Sequence, residues 1–359
     1  AAKPQIFGHA NGMNASPESM DDRIARVHGA GMIDLHFDLP MFLYDHRNRD
    51  NVLADDFLSE FEAGDIGTVA ASIYIEDQYV PESALEVALA QVARTYVEVE
   101  RCHRFAICRS FAEIKRAREQ GKIGLLIAME GAEPLGAALN LLRIFYELGL
   151  RILGLTHVRS NAAGHGGIFA ASGSSPEGLT AFGCELVREC ERLGVILDLA
   201  HINPAGFDDI LENTTRPVIV SHTNARKYYD IERNISDEQI KAIGARGGVI
   251  GVNSILVSSK KQEATLDHYV NHIQHVIDLI GIDGVGIGFD FFEFFYRRWS
   301  DEERAAFHKK FPHVHFIPDL LHHGHARNVT AKLIEHGFSD EQIEKILFRN
   351  WMRIFETLL

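Results

Sequence analysis

The sequence predicts a (β/α)8 TIM barrel of the α/β class, with additional C-terminal helices, and three observations predict it. Eight short apolar segments alternate with amphipathic helical segments between residues 32 and 291. Those apolar segments are nearly continuous, which marks strands covered on both faces, as in a parallel sheet. Six of the eight end in His, Asp or Glu, and a barrel carries its chemistry at the C-terminal strand ends. A doubly wound sheet is the competing architecture. It would normally place a Gly-rich phosphate loop after the first strand, where this chain has His36-Phe-Asp38. Gly286 and Gly288 make no dinucleotide fingerprint, because aromatic residues follow them. Residues 1–359 are expected to form one domain, with barrel strands over about 32–291 and closing helices over about 327–357.

Taken in order, residues 1–30 are polar and mixed, with a short helix near 17–28. The first strand is 32–39. A helix over 52–63 turns through Asp65-Ile-Gly67 into the second strand, 68–75. A long amphipathic helix covers 82–103, with Leu85, Val87, Leu89, Val92 and Val97 along it, and another covers 110–120. The third strand, 124–130, ends at Glu130-Gly131. A helix over 136–148 precedes the fourth strand, 151–157, which ends in His157. Residues 159–178 are rich in Gly, Ala and Ser and read as loop. The helix over 179–193 stops at Gly194, a favoured C-cap residue. The fifth strand, 195–201, ends in His201. Helix 204–212 leads to the sixth, 218–222, ending in His222. Helix 236–245 stops near Gly247-Gly248, before the seventh, 249–253. Helix 265–280 precedes the eighth, 284–290, ending in Asp290. The tail carries helices over 327–336 and 339–357.

At 46% hydrophobic and 24% charged, the composition is that of an ordinary soluble globular chain. A formal net charge of −14 argues against nucleic acid and against anionic membrane as partners. No apolar run reaches the length of a membrane span. The start, Ala1-Ala-Lys-Pro-Gln5, holds no apolar signal-peptide core. Cytoplasm is therefore the expected location, although the sequence is silent on a signal removed before residue 1. The four cysteines form two local pairs, Cys102/Cys108 and Cys184/Cys190, without zinc-ribbon spacing, and read as reduced packing residues.

The candidate chemistry stands at the strand ends: His36 and Asp38 on the first, then Glu130, His157, His201, His222 and Asp290. One such histidine would read as a hydrogen-bonded core residue, and His36-Phe-Asp38 alone as a strand histidine before a turn. Their recurrence at equivalent ends points to a metal site. Three carboxylates and four histidines exceed one tetrahedral zinc. Two divalent ions, about 3.5–4 Å apart, need a bridging carboxylate and a bridging water or hydroxide. Water held there ionises near neutral pH and becomes a nucleophile. A carboxylate outside the ligand set, with Asp290 the best candidate, can shuttle its proton. The reaction class is metal-assisted hydrolysis.

At these residues the chain resembles the membrane (renal) dipeptidase family of zinc metallopeptidases, as a bacterial-type member. The matching pieces are Asp34-Leu-His-Phe-Asp-Leu-Pro40, Met129-Glu-Gly131, Leu155-Thr-His157 and Gly178-Leu-Thr-Ala-Phe-Gly183. They continue with Asp198-Leu-Ala-His201, Ser221-His222, Gly286-Ile-Gly-Phe-Asp290 and Asn350-Trp-Met-Arg-Ile-Phe355. The resemblance implies two Zn2+ per chain, other divalent ions remaining open. His36 and Asp38 would hold the first, His201 and His222 the second, and Glu130 would bridge them. It implies His157 over the substrate carbonyl, Asp290 as general base and acid, and Arg233 on the substrate's free carboxylate. A guanidinium suits that last task, since it forks onto a carboxylate; a solvated loop arginine beside Glu232 is the other reading. The implied reaction is hydrolysis of dipeptides, C-terminal D-residues included, by a metal-bridging hydroxide. A homodimer is also implied.

The chain departs from the family where Asp-Phe-Asp-Gly commonly continues the eighth strand. Here Asp290 is followed by Phe291-Phe-Glu-Phe-Phe-Tyr-Arg-Arg-Trp299. That segment reads equally as a wall that narrows the substrate pocket or as packing against a partner subunit or the tail. Arg159 reads as an exposed arginine or a specificity residue. The His-rich stretch from His308 to His325 reads as solvated histidines or as an extra metal site. Two other functions compete: a metal-dependent amidohydrolase of N-acyl amino acids or cyclic amides, and a non-catalytic zinc-stabilised binding protein.

Overall fold

The computed structural model describes residues 18–359. Its strands are β1 Met32–Phe37, β2 Ile66–Tyr74, β3 Phe105–Ile107, β4 Ile123–Glu130, β5 Leu150–Gly154, β6 Ile196–Asp198, β7 Ile219–Thr223, β8 Val249–Val252 and β9 Val285–Ile287. Eight of them run parallel in the order β1-β2-β4-β5-β6-β7-β8-β9 and wrap into a nearly closed barrel. The eight-unit alternation therefore does what the sequence predicts. β3 has no counterpart among the predicted strands, because three residues are too short to show a pattern. It pairs with Ile123–Leu125 at the start of β4, while β5 pairs with the end of β4 from Ile127 onward.

The seam between β1 and β9 has no ladder. Side chain and turn close it instead: Asp34 Oδ1 accepts the Phe289 N–H at 2.8 Å, and the Asp290 N–H donates to His36 O at 3.3 Å. At the opposite mouth the helix Asn350–Leu358 plugs the barrel. Trp351, Ile354 and Phe355 cluster with inward residues such as Ile33, Leu126, Ile196 and Val249. The Trp351 indole donates to Ile287 O at 3.0 Å, and Gly286 is needed beneath it, because a Cβ there would lie 2.5 Å from Nε1.

Several strands end earlier than the sequence suggests. β1 stops at Phe37, because Leu39-Pro40 opens a helix, Leu39–Asp45, with proline in its first turn. Asp38 sits at that helix's N-cap position rather than on the strand beside His36. His157, His201 and Asp290 likewise follow their strands as turn residues. His201 (φ 66°) and Asp290 (φ 55°) occupy left-handed backbone, which no ladder accommodates. The long helix is Ala84–Arg101, and its inward face is Ala84, Val87, Ala88, Gln91, Val92, Thr95 and Glu98. Leu85, Leu89 and Val97 instead face outward, each more than a third exposed. The expected helix near 17–28 is Met20–Val27, and its proposed start lies partly outside the described residues. The segment after Asp290 contains two helices unforeseen in the sequence, Glu293–Tyr296 and Asp301–Lys310. All four cysteines are free.

Candidate metal centre

The strand ends converge. Glu130, at the last position of β4, directs Oε1 to 2.9 Å from His201 Nε2, 3.3 Å from His222 Nε2 and 3.6 Å from His36 Nε2. Asp38 Oδ1 lies 3.5 Å from His36 Nε2, and Asp290 lies 3.9 Å from both His36 and His222. The His201 and His222 Nε2 atoms are only 2.9 Å apart. Three overlapping groups could each hold an ion: His36/Asp38/Glu130, Glu130/His157/His201 and His36/His222/Asp290. Among the described residues, every such group belongs to this one cluster, and none lies in the His308–His325 stretch. His157 and Asp290 each join one of these groups, although the resemblance gives neither a ligand role. The His157 ring lies 4.3 Å from that of His201.

The donor set fits divalent cations. His36 Nε2 and Asp38 Oδ1, both facing the cluster, and His157 Nδ1 are buried with no hydrogen-bond partner. Mixed imidazole and carboxylate donors, closely packed and left unsatisfied, suit zinc or a similar ion. Without a cation the cluster is electrostatically frustrated. Burial opposes charge on His36, but the surrounding Glu130, Asp38 and Asp290 outweigh it and raise its pKa to about 10. Burial pushes Glu130 up to about 8 and Asp290 up to about 6, with the neighbouring Asp38 adding to both and His36 opposing. Burial holds His157, His201 and His222 well below the usual histidine range, so they stand as neutral lone-pair donors.

Supporting groups hold the donors in place. Asp198 Oδ1 accepts the Ala200 N–H at 3.0 Å and the Ser221 N–H at 2.8 Å, fixing the turns that carry His201 and His222. Ser221 Oγ lies 2.8 Å from His222 Nδ1, which orients that ring with Nε2 inward. The Asn253 amide donates to Asp290 Oδ2 at 2.9 Å. The position of Asn253 at the seventh strand end is the sequence signal for this role. Asp34 accepts from His323 Nε2 at 2.7 Å across 289 residues, a pairing with no sequence signal. His323 is thus a buried hydrogen-bonding residue, not a solvated one.

Arg233 is 2% exposed, so it is no solvated loop arginine. Its Nη2 donates to His222 O at 3.1 Å, while Nε and Nη1 have no partner. Arg159 is also not free in solvent. It bonds Glu133 at 2.8 Å, Asp77 at 2.7 Å and the Ile75 carbonyl. Above the cluster opens a cavity of about 550 Å3, lined by Asp38, Glu130, His157, His201, Arg233 and Asp290, and further up by Tyr74, Glu76, Asp77 and a set of apolar side chains.

Residues 22–358 match the model of the membrane dipeptidase family, peptidase family M19. The chain belongs to that family. It is a hydrolase of the dipeptidase kind, in a family of metallopeptidases. An uncharacterized dipeptidase of Schizosaccharomyces pombe is 28% identical over 353 residues, covering 91% of this chain and 80% of the relative. Among solved structures, a dipeptidase of family M19 superposes with TM-score 0.79 at 26% identity, over 91% of this chain and 98% of that one. A metallopeptidase from Rhodobacter sphaeroides, bound to a phosphinate mimic of L-Ala-D-Ala, superposes with TM-score 0.78 at 26% identity, over 92% of this chain and 99% of that one. No helix among the described residues is long and apolar enough to cross a membrane.

Proposed function

We propose that this dipeptidase works with two zinc ions and cleaves dipeptides, including those with a C-terminal D-residue. The observation that carries the reading is the position of Glu130 Oε1, within 3.6 Å of three inward-facing imidazole nitrogens. His36 and Asp38 would hold one ion and His201 and His222 the other, and Glu130 would serve both. When bound, such ions acidify water and supply the hydroxide that attacks a carbonyl. The protein's own residues do the rest. Arg233, buried and with guanidinium hydrogens to spare, offers its positive charge to the substrate's carboxylate. His157 donates to the carbonyl oxygen as it gains charge. Asp290, steadied by Asn253, takes the proton released by the water and returns it to the leaving amine. The Rhodobacter relative, with its mimic of L-Ala-D-Ala, supports the D-residue extension.

The test is a panel of dipeptides in both C-terminal chiralities, with N-acyl amino acids alongside, on enzyme of defined metal content. Dipeptides should be hydrolysed and N-acyl amino acids ignored, with two metals per chain by elemental analysis and activity abolished by a chelator. Turnover of N-acyl amino acids or cyclic amides in preference to dipeptides would give the alternative amidohydrolase reading. Metal without any hydrolysis would leave a zinc-stabilised binding protein.

A further inference from the structure

The cavity has a chemically divided lining. Its floor is the metal cluster, and Glu76 and Asp77 make an acidic strip past the end of β2. Phe169, Leu256, Phe292, Phe307, Phe311 and Val314 make an apolar wall. Phe292 comes from the aromatic segment after Asp290, Phe307 from the helix Asp301–Lys310 that follows it, and Phe311 is that helix's C-cap residue. The rings support one another: Phe307 lies 5.1 Å from Phe292 and 5.0 Å from Phe311, and Phe311 lies 5.0 Å from Phe169. The helix Asp301–Lys310 is tied across the mouth by an ion pair from Lys310 to Asp77, which also holds Arg159 at 2.7 Å. The wall is therefore a packed surface in a fixed place.

The wall belongs to Arg233's side of the cavity. Tyr229 and Ile231, on the turn leading to Arg233, cluster with Leu256 and Val314, and Phe169, Phe307 and Phe311 pack on that cluster. The Arg233 N–H donates to Ile168 O at 3.1 Å, which puts Phe169 beside it. We infer that this wall receives the side chain of the substrate residue whose carboxylate meets Arg233, and that the enzyme selects dipeptides with a bulky apolar C-terminal residue. Glu76 suits the substrate's free ammonium, whereas the charge of Asp77 is already met by Lys310 and Arg159. The inference rests on the dipeptidase reading above.

The full-length, zinc-loaded enzyme can be assayed on Ala-X dipeptides, X being Gly, Ala, Leu, Phe or Asp in both chiralities, and on the reversed X-Ala series. One methylene in an apolar pocket changes kcat/KM by roughly 10–200-fold. Ala-Leu or Ala-Phe should therefore exceed Ala-Ala by about tenfold or more, Ala-Asp should be poorest, and the X-Ala series should be flatter. Phe311→Ala should cut the Leu-to-Ala ratio by about tenfold, with Phe307→Leu as a gentler second variant and thermal melts to confirm folding. A flat Ala-X series, selectivity residing in X-Ala instead, or a ratio unmoved in both folded variants would overturn the inference while leaving a dipeptidase. No hydrolysis of any dipeptide would remove the dipeptidase reading, and this inference with it.

Discussion

Asp290 carries the sharpest single-residue expectation. Its backbone is left-handed at φ 55°, a conformation that costs about 1 kcal/mol or more for a residue with a Cβ. Tertiary contacts hold it there: its N–H donates to His36 O and its carboxylate accepts from Asn253. Asn at 290 is nearly isosteric and tolerates the same backbone, but it cannot take a proton. Asp290→Asn should keep the wild-type metal content by elemental analysis and lower kcat by about 10²-fold or more. Turnover near the wild-type rate would remove Asp290 from the chemistry. The residue types at the site were legible in the sequence because imidazole and carboxylate groups ended otherwise apolar strands. The partners that aim them were legible only in part. Asp198 and Ser221 lay inside quoted motifs, while Asn253 stood at a strand end with no neighbour in sequence to explain it.

Strands and helices decide how firmly that geometry is held. The β1–β9 seam lacks a ladder, so the Asp34 side chain substitutes for backbone pairing, accepting from Phe289 and from His323. Both Asp34 and His323 are essentially fully buried. His323→Ala would leave a buried acceptor without its donor, which costs about 2 kcal/mol or more. Because His36 lies two residues along β1 and Asp290 follows Phe289, the same change should also lower metal affinity. Urea unfolding of chelated protein and zinc titration check the two effects, and an unchanged midpoint would make the pair incidental. Short connections and periodic helices made the barrel order readable. The two helices after β9 were not readable, because their aromatic residues divide between the main core, where Phe294 and Phe295 pack on Phe42, and the cavity, which Phe307 lines, and so follow no single period.

At the scale of the whole molecule, buried neutral histidines make the fold acid-sensitive apart from its metals. Burial lowers His28 to about 4 and His272 to about 3. In an unfolded chain both would titrate near about 6.5. The unfolded state therefore binds more protons below that pH, and stability falls as pH drops through the window. His272 accepts the Ala225 N–H at 3.0 Å and donates to Val257 O at 2.8 Å, so it must stay neutral to bridge them. Glutamine can do the same without titrating. Urea midpoints of chelated protein at about pH 7 and about pH 5 should show a smaller acid loss in His272→Gln than in wild type. Equal losses would assign the acid sensitivity to other groups.

The sequence by itself determined the barrel and set imidazole and carboxylate groups at its strand ends. Continuous apolar strands and their polar ends are local patterns, written along the chain. Tertiary structure alone decided where the candidate donors meet, that Arg233 is buried with two donors unused, that Asp34 pairs with His323, and that the aromatic segment divides, Phe292 and Trp299 lining the cavity while Phe294 and Phe295 pack on Phe42. Those features depend on contacts between residues far apart in sequence, and on backbone turns whose left-handed conformations are imposed by neighbours rather than by the residues that adopt them.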